Sequence, residues 1–440
     1  MLPFILSLLL LAGAAAVGQG HDDAAARRTM EEFAGFPASD DGEGGRASPL
    51  RVDSDSLQRQ IDELASFSDS PAPSVTRVLY SDRDVQARRV GSEAELGAVA
   101  TGSHVDAIPF SGKYDGVVGV LGALEAISVL QRSGFQPKRS LEVIMFTSEE
   151  PTRFGISCLG SRLMAGSEEL VQSLKRTVDN HNVSFVDAAD SAGYKIHPDD
   201  LHNVFLNQDA YFAFIELHIE QGPILEKEGI PIGIVTAIAA PASIKVEFEG
   251  NGGHAGAVLM PARNDAGLAA AELALAVEKH VLESGSIDTV GTVGILQLHP
   301  GAINSIPSKS HLEIDIRDID EKRRNDVIEK VHKSAIDISK IRGVELSEFK
   351  IINQDPPALS DKSVINAMEF AAKQLGLEYK LMISRAYHDS LFMARISPMG
   401  MIFIPCYKGY SHKPEEFASP EDMANGVQML ALTMAKLSLE

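Results

Sequence analysis

The feature that most constrains the fold is a short apolar run that leads directly into acidic residues. Residues Leu141–Phe146 are almost continuously apolar, and Glu149 and Glu150 follow shortly after. Such a run is typical of a strand buried on both faces, as in parallel sheets covered by helices. Residues 117–130 have the apolar spacing of a helix, and residues 211–220 alternate as a strand does. This order predicts an α/β fold with a mostly parallel sheet and helices on both faces.

A different pattern interrupts the chain between residues 230 and 341. The strand near residues 244–249 alternates apolar with charged side chains, which indicates a sheet with one wet face. An Ala-rich helix, two further strands and another helix complete this segment. We therefore predict an inserted α+β domain at 230–341, which interrupts an α/β domain made of residues 51–229 and 342–440.

The N-terminus predicts a secretory route. Residues 2–17 form an uncharged, Leu-rich run that ends in small residues, as signal peptides do, and the run is short for a membrane span. We expect a signal peptide at 1–20, a flexible polar leader at 21–50, and no stable membrane association once the signal is removed. The sequon Asn182-Val183-Ser184 is usable for glycosylation only on this route.

Charge and cysteine content exclude several classes of function. The 440 residues carry 61 acidic and 40 basic side chains, a formal net charge of −21. Nucleic acid and anionic membrane surfaces are therefore unfavourable partners. With two cysteines and no paired Cys motif, the chain has neither a disulfide framework nor a thiolate zinc cluster.

Metal-type ligands are concentrated where strand patterns give way to loops. His104 and Asp106 lie two residues apart, so on an extended segment both side chains point the same way. This arrangement suits a histidine ligand whose second ring nitrogen is held by a carboxylate. Asp115 follows, just before the helix at 117–130.

Three further places repeat this feature. Glu149 and Glu150 lie beyond a buried strand, where two carboxylates are costly unless a cation or a reaction needs them. His218 lies on the polar face of the strand at 211–220, and His412 lies in a late loop. Each residue taken singly is more often an ordinary surface or core residue. Their joint occurrence at the ends of elements in one α/β frame indicates a metal site.

Together these motifs resemble the dinuclear metallopeptidase and amidohydrolase family, which includes carboxypeptidase G, aminoacylase, N-carbamoyl amino acid hydrolase and allantoate amidohydrolase. The resemblance covers about residues 55–440. It implies that the inserted domain is a ferredoxin-like lid and dimerisation domain, and that the protein is a homodimer. It also implies that His104 and His218 hold one metal, Glu150 and His412 hold the other, and Asp115 bridges the two.

The resemblance further implies a hydrolytic mechanism. Glu149 would be the general base, and a metal-bound hydroxide would attack the substrate carbonyl. The donor set suits two Mn²⁺ ions per subunit, although Zn²⁺ or Co²⁺ is also compatible. The residues expected to contact substrate are Gln221, His254, Asn304, Arg317, Tyr387 and His388.

Some of these assignments have ordinary alternatives. Arg317 offers a fork for a substrate carboxylate, or it pairs with Asp315 or Asp318. His254 could be only a turn residue in its Gly-rich loop, and Asn304 could only stabilise its own loop. Tyr387 could only pack against its neighbours.

The loops around residues 104–116, 218–223 and 386–390 most resemble those of the ureide-hydrolysing members of the family. They predict hydrolysis of (S)-ureidoglycolate to glyoxylate, ammonia and carbon dioxide, a late step of purine and allantoin catabolism. With the signal peptide, this resemblance indicates the endoplasmic reticulum lumen. The alternatives are allantoate, an N-carbamoyl-L-amino acid, or an inactive relative that acts as a binding or scaffold protein.

Overall fold

The computed structural model describes residues 51–77 and 97–440. The predicted signal peptide at 1–20 and leader at 21–50 lie outside these residues. The described chain forms two compact units. The first contains the described residues up to 236 together with 359–382 and 388–440, and the second contains 237–358 and 383–387.

Elements are numbered in chain order. The strands are β1 Val75–Arg77, β2 Val99–His104, β3 Ala107–Ser111, β4 Leu141–Phe146, β5 Ala213–Ile219, β6 Ile232–Ile238, β7 Ala240–Glu249, β8 Gly253–His254, β9 Val290–His299, β10 Ser305–Ile306, β11 Lys309–Asp318, β12 Glu345–Gln354, β13 Ala358–Leu359, β14 Tyr379–Ser384 and β15 Met399–Ile404. The α-helices are α1 Ser54–Ser66, α2 Val117–Arg132, α3 Leu159–Met164, α4 Glu168–Leu174, α5 Phe185–Ser191, α6 Ile224–Glu228, α7 Ala266–Leu282, α8 Glu321–Arg342, α9 Lys362–Leu375, α10 Ser390–Met393 and α11 Pro420–Ser438. Short 3₁₀ turns occupy Pro198–Val204, Met260–Ala262 and Tyr407–Gly409.

The first unit is built on a sheet in the order β13-β6-β15-β5-β2-β4, with β14 paired to β6. The pairs β15–β5, β5–β2 and β2–β4 are parallel, and β6 joins β15 in the antiparallel direction. Every residue of β2, β4, β5 and β15 is buried, as the apolar run in β4 predicted. The predicted α/β fold with a mainly parallel sheet is confirmed.

Helices cover both faces of this sheet. One face packs against α1, α2, α9 and α11 in a continuous apolar core. The other face carries Phe214, Glu216 and His218 of β5, and α10 lies over it, since Ser390 donates two hydrogen bonds to Glu216. The alternation in residues 211–220 therefore separates an apolar buried face from a polar face that is also buried.

The second unit has an antiparallel four-stranded sheet in the order β12-β7-β11-β9. Helices α7 and α8 pack with the apolar side chains of β7 and β11 to form its core. Opposite side chains, among them Lys245, Glu247 and His311, form a charged face as predicted from the alternation. The compact unit runs to residue 358, beyond the predicted boundary at 341, because β12 pairs with β7 along its length.

Local capping signals explain where several helices begin and end. Ser419 accepts a hydrogen bond from the Asp422 N–H at the start of α11, with Pro420 in the first helical position. Gly376 ends α9 in the left-handed conformation. Within the described ranges, no helix has the length and apolar character needed to cross a membrane.

Candidate metal centre

The predicted ligands gather at the carboxyl edge of the first unit's sheet. Parallel strands β2, β4, β5 and β15 end at the same edge. His104 is the last residue of β2, Glu149 and Glu150 follow β4, His218 lies near the end of β5, and His412 lies beyond β15. This is the edge at which open α/β sheets place their ligands.

Asp115 lies at the centre of the cluster. Its Oδ1 is 3.1 Å from His218 Nε2 and 3.5 Å from His104 Nε2, and its Oδ2 is 3.3 Å from His412 Nε2. Ligand-type atoms of His104, Asp115 and His218 lie within 4.8 Å of one another, and those of Asp115, Glu150 and His412 do as well. The two oxygens of Asp115 thus face two donor groups, which is the arrangement of a bridging carboxylate.

The first group is rigid and buried. His104 Nδ1 lies 3.0 Å from the Asp106 carbonyl oxygen, and His218 Nδ1 lies 2.9 Å from the Ile219 carbonyl oxygen. Because a carbonyl only accepts, each Nδ1 must carry the hydrogen. The Nε2 atoms, both directed at Asp115, then present their lone pairs to a cation.

The second group is more open. His412 Nε2 lies 3.2 Å from Glu150 Oε1, while 48% of the His412 side chain is exposed. His412 has a φ of 59°, a left-handed conformation that non-glycine residues seldom adopt. This backbone turns the imidazole from an irregular loop toward Asp115.

Asp106 holds the acidic loop through its carboxylate and the His104 imidazole through its backbone carbonyl. Its carboxylate accepts the backbone N–H of Glu149 at 3.2 Å and of Glu150 at 3.0 Å. The carboxylate oxygen is 3.8 Å from His104 Nδ1, and the carbonyl of Asp106 is the nearer partner. Asp106 therefore lies beside His104 as the spacing predicted, with its carbonyl nearer to the ring than its carboxylate.

Glu149 lies beside the two groups and belongs to neither. Its Oε2 is 3.8 Å from His104 Nε2, and its Oε1 accepts a hydrogen bond from the Cys158 thiol at 3.2 Å. Burial raises the pKa of Glu149 well above its usual range, against the opposing effect of His104. A buried carboxyl with a raised pKa beside a cation site has the character of a general base.

The charges around Asp115 attract cations. Burial raises the pKa of Asp115, but the three neighbouring imidazoles, when they are protonated, lower it well below its usual range. Glu416 supports this loop from behind by accepting the backbone N–H of Tyr114 at 2.8 Å and of Asp115 at 3.0 Å. Sequence reasoning missed Glu416, because its partners are about 300 residues away along the chain.

Two of the predicted substrate residues lie in the first unit. Gln221 Nε2 donates to Asp115 Oδ2 at 2.7 Å and to Ser411 at 3.1 Å, while its buried Oε1 has no partner among the described residues. His388 is buried, with its ring 4.7 Å from that of His218. Gln221 therefore belongs to the cluster around Asp115, whereas His388 forms a further group of ligand-type atoms with His218 and Glu216.

The remaining predicted residues lie in the second unit. His254 and Ser305 are paired residues of the two-stranded β8–β10 sheet, and Asn304 beside it accepts the Ala255 N–H through its carbonyl. His254 and Asn304 are both exposed.

Two of these side chains are already engaged within the second unit. Arg317 donates twice to Asp315, at 2.7 and 3.2 Å, as the ion-pair alternative described. The Tyr387 hydroxyl donates to Asp355 at 2.5 Å.

The arrangement defines a chemical class. Imidazole and carboxylate donors in two adjoining groups, with a shared carboxylate and a separate buried carboxyl, are typical of metal-dependent hydrolases. A metal-independent nucleophile is not needed at such a site, because a cation activates water.

Comparison with known proteins agrees with this class. Residues 100–436 match the model of "Peptidase family M20/M25/M40", and the chain belongs to this family. It is 84% identical to a ureidoglycolate hydrolase of Oryza sativa subsp. japonica over 94% of this chain and 91% of that protein. It is 69% identical to a ureidoglycolate hydrolase of Arabidopsis thaliana over 99% of this chain and 97% of that protein.

Solved structures give the same relationship. The crystal structures of AtUAH with (S)-hydroxyglycine and with glyoxylate each share 72% identity and a TM-score of 0.83 with this chain. Each match covers 89% of this chain and 99% of the other. The family resemblance inferred from the motifs is confirmed, the chain is a hydrolase, and its site has metal-binding residue groups.

Proposed function

We propose that the protein hydrolyses the ureido amide of (S)-ureidoglycolate. The observation that carries the proposal is the convergence of two donor groups and Glu149 at one sheet edge. The substrate is supported by the names of the two plant relatives and by the ligands in the AtUAH structures. Hydroxyglycine and glyoxylate are the species that this reaction would produce from the substrate carbon skeleton.

Two divalent cations per subunit would fit the donor groups. His104, Asp115 and His218 would hold one, and Asp115, Glu150 and His412 the other. The fixed Nδ1 hydrogens of the two buried histidines and the shared carboxylate support this fit. Nitrogen and oxygen donors without thiolate are compatible with Mn²⁺, Zn²⁺ or Co²⁺, and we propose Mn²⁺ from the family resemblance. Such cations, when bound, lower the pKa of water and polarise a carbonyl.

Glu149 would carry the protons of the reaction. It would accept a proton from the water that attacks the ureido carbonyl and then deliver a proton to the departing nitrogen, which leaves as ammonia. The resulting carbamate would lose carbon dioxide to give hydroxyglycine, which would release a second ammonia and leave glyoxylate.

The substrate would be oriented by the residues that the sequence analysis assigned to this role. We assign this role to Gln221, whose buried Oε1 is unpartnered among the described residues, and to His388 beside His218. His254, Asn304 and Arg317 are assigned by resemblance. Arg317→Lys should raise KM with little change in kcat, because lysine lacks the planar fork that matches a carboxylate. An unchanged KM would mean that Arg317 only pairs with Asp315 and does not bind substrate.

Tyr387 requires a separate test, because its hydroxyl is bonded to Asp355. Tyr387→Phe should alter the preference between ureidoglycolate and allantoate if this hydroxyl also binds substrate. A substrate preference identical to that of the native protein would mean that the Tyr387 hydroxyl only stabilises the second unit through its hydrogen bond with Asp355.

The protein would act as a homodimer through its second unit. Strand β9 is an edge of the four-stranded sheet and exposes Ile295, Leu296 and Leu298. An edge strand with apolar side chains is a template for pairing with another chain. Light scattering on the native protein should give the mass of a dimer, and Leu296→Glu should give a monomer; a native monomer would contradict the proposal.

The secretory route and the endoplasmic reticulum lumen stay proposals. Asn182 is exposed in a left-handed turn, where an oligosaccharide would meet no packed neighbour. Expression of the full chain in plant cells should give a protein that has lost its N-terminal residues and resides in this compartment. A full-length protein in the cytosol would contradict the route.

The direct test of function is ammonia release by Mn²⁺-reconstituted protein. Ureidoglycolate, allantoate and an N-carbamoyl-L-amino acid would be compared side by side. The proposal expects fast turnover of ureidoglycolate alone. Faster turnover of another substrate would overturn the substrate assignment and leave the metal centre in place.

A further inference from the structure

The buried thiol of Cys158 contacts the carboxyl group of Glu149. The sulfur lies 3.2 Å from Glu149 Oε1, and Cys158 is completely buried. Its backbone N–H also donates to the Glu149 carbonyl at 2.8 Å. Cys158 therefore holds Glu149 through both the main chain and the side chain.

The local backbone directs this contact. Ser148 and Cys158 both have left-handed φ values, 54° and 51°, at the two ends of the loop that contains Glu149. The Leu159 N–H donates to the Ser148 carbonyl at 2.9 Å, which closes the loop. Cys158 immediately precedes α3, so its position is set by the helix and not by the loop alone.

The hydrogen bond has a definite direction. Burial and the charge of Glu149 raise the pKa of the Cys158 thiol well above its usual range, so the sulfur keeps its hydrogen and acts as a donor. Oε1 of Glu149 is occupied as the acceptor. Oε2 is left on the side of His104 Nε2, 3.8 Å away.

We propose that Cys158 is a positioning residue for Glu149. The S–H···Oε1 hydrogen bond fixes the rotation of the carboxyl group, so that Oε2 is the atom presented to the attacking water. This inference rests on the proposed function, in which Glu149 is the base. Cys158 itself forms no bond with substrate and undergoes no redox change.

The test compares Cys158→Ala with Cys158→Ser. Both place a non-glycine residue in the same left-handed backbone, so strain is common to the two, and only serine keeps a donor. We expect Cys158→Ala to lower kcat about tenfold, with KM and metal content unchanged, and Cys158→Ser to recover most of the loss. Cys158→Gly suits the left-handed φ and also lacks the donor, so it replaces the alanine variant if that variant does not fold.

Cys406→Ala is the matched control. Cys406 is also a buried free thiol, and it contacts the Gly222 carbonyl rather than a carboxylate. Its substitution should leave kcat within about twofold of the native value. A tenfold loss in this variant as well would show a general effect of thiol removal and overturn the proposal.

A double-variant experiment separates this proposal from the function on which it rests. In a Glu149→Gln background, removal of the Cys158 thiol should cause no further loss of kcat, because the thiol acts through the carboxylate. An equal loss in both backgrounds would overturn the positioning role, as would a Cys158→Ala enzyme with native kcat. If Glu149→Gln alone keeps native turnover, the proposed base is wrong instead.

Discussion

Two clusters of histidine and carboxylate side chains in this molecule differ in their burial and in the charges around them. At the sheet edge of the first unit, His104 and His218 face Asp115 and are almost completely buried. On the charged face of the second unit, His311 lies between Glu247 at 3.2 Å and Glu313 at 3.0 Å. Each cluster therefore consists of imidazole and carboxylate side chains in hydrogen-bonding range.

The neighbouring charges and the burial separate the two. Glu247 also pairs with Lys245 at 2.9 Å and Lys309 at 2.8 Å, so its charge is already compensated in a partly exposed setting. Asp115 has imidazoles and no ammonium group among its described ion pairs. A buried carboxylate without a fixed cationic partner is costly, and a metal ion removes that cost. Residue type alone therefore does not mark a metal site.

The largest expected effect concerns Glu149. Glu149→Gln keeps the size of the side chain and an oxygen acceptor for the Cys158 thiol, but it removes the base. We therefore expect kcat to fall by about 10³-fold while the metal content stays native. Ammonia release and elemental analysis on the same preparation measure both quantities. Near-native activity would remove Glu149 from the mechanism.

The next largest effect concerns the shared carboxylate. Asp115→Asn should weaken both donor groups at once, so metal content should fall well below two ions per chain. Activity should fall by more than the roughly 100-fold that loss of an outer hydrogen-bond partner can cost. A variant that retained both ions would show that Asp115 is not the bridge.

A smaller effect is expected at Asp106. Asp106→Asn keeps one acceptor for the backbone N–H groups of Glu149 and Glu150 but replaces the other with a donor. Activity should fall by about 10- to 100-fold, with partial loss of metal. Full activity would mean that the acidic loop keeps its position without this carboxylate.

The smallest effect is expected on the charged face of the second unit. Hydrogen bonds from Lys309 and Lys245 lower the pKa of Glu247 to about 2. A lowered pKa contributes stability that is present above the ordinary pKa of 4.5 and is lost as pH falls toward 2. Glu247→Gln should therefore lower Tm by about 2 °C or less at pH 7, with no change in turnover.

The Glu247 effect has two controls. It should shrink in high salt, which screens surface charges, and it should shrink as pH falls from 5 toward 2. If the difference in Tm between the native protein and Glu247→Gln became larger as pH falls, the lowered pKa assigned to Glu247 would be contradicted.

Patterns with a strong local cause were predictable from the sequence. The apolar run predicted strand β4, and the Ser-Pro pair predicted the start of helix α11. The ligand motifs predicted the residues that lie around Asp115. Strand ends were informative because a parallel sheet brings them to one edge. The family motifs added the assignment of roles, which spacing alone does not provide.

Contacts between distant segments were not predictable in the same way. Glu416 accepts the Asp115 N–H, and Asp106 accepts the Glu149 N–H. Both hydrogen bonds join segments that only tertiary packing brings together. The Cys158 thiol looked like an ordinary buried residue until its neighbour was known. Strand β12 was missed because residues 345–354 mix charged and apolar side chains without clear alternation.

Elemental analysis of paired histidine variants tests the central claim most directly. The native protein, His218→Ala and His311→Ala would be loaded with Mn²⁺ and freed of excess metal under the same conditions. We predict two ions per chain in the native protein and in His311→Ala, and one or fewer in His218→Ala. Two ions in His218→Ala, or a loss of metal in His311→Ala, would contradict the assignment of the metal centre to the buried sheet edge.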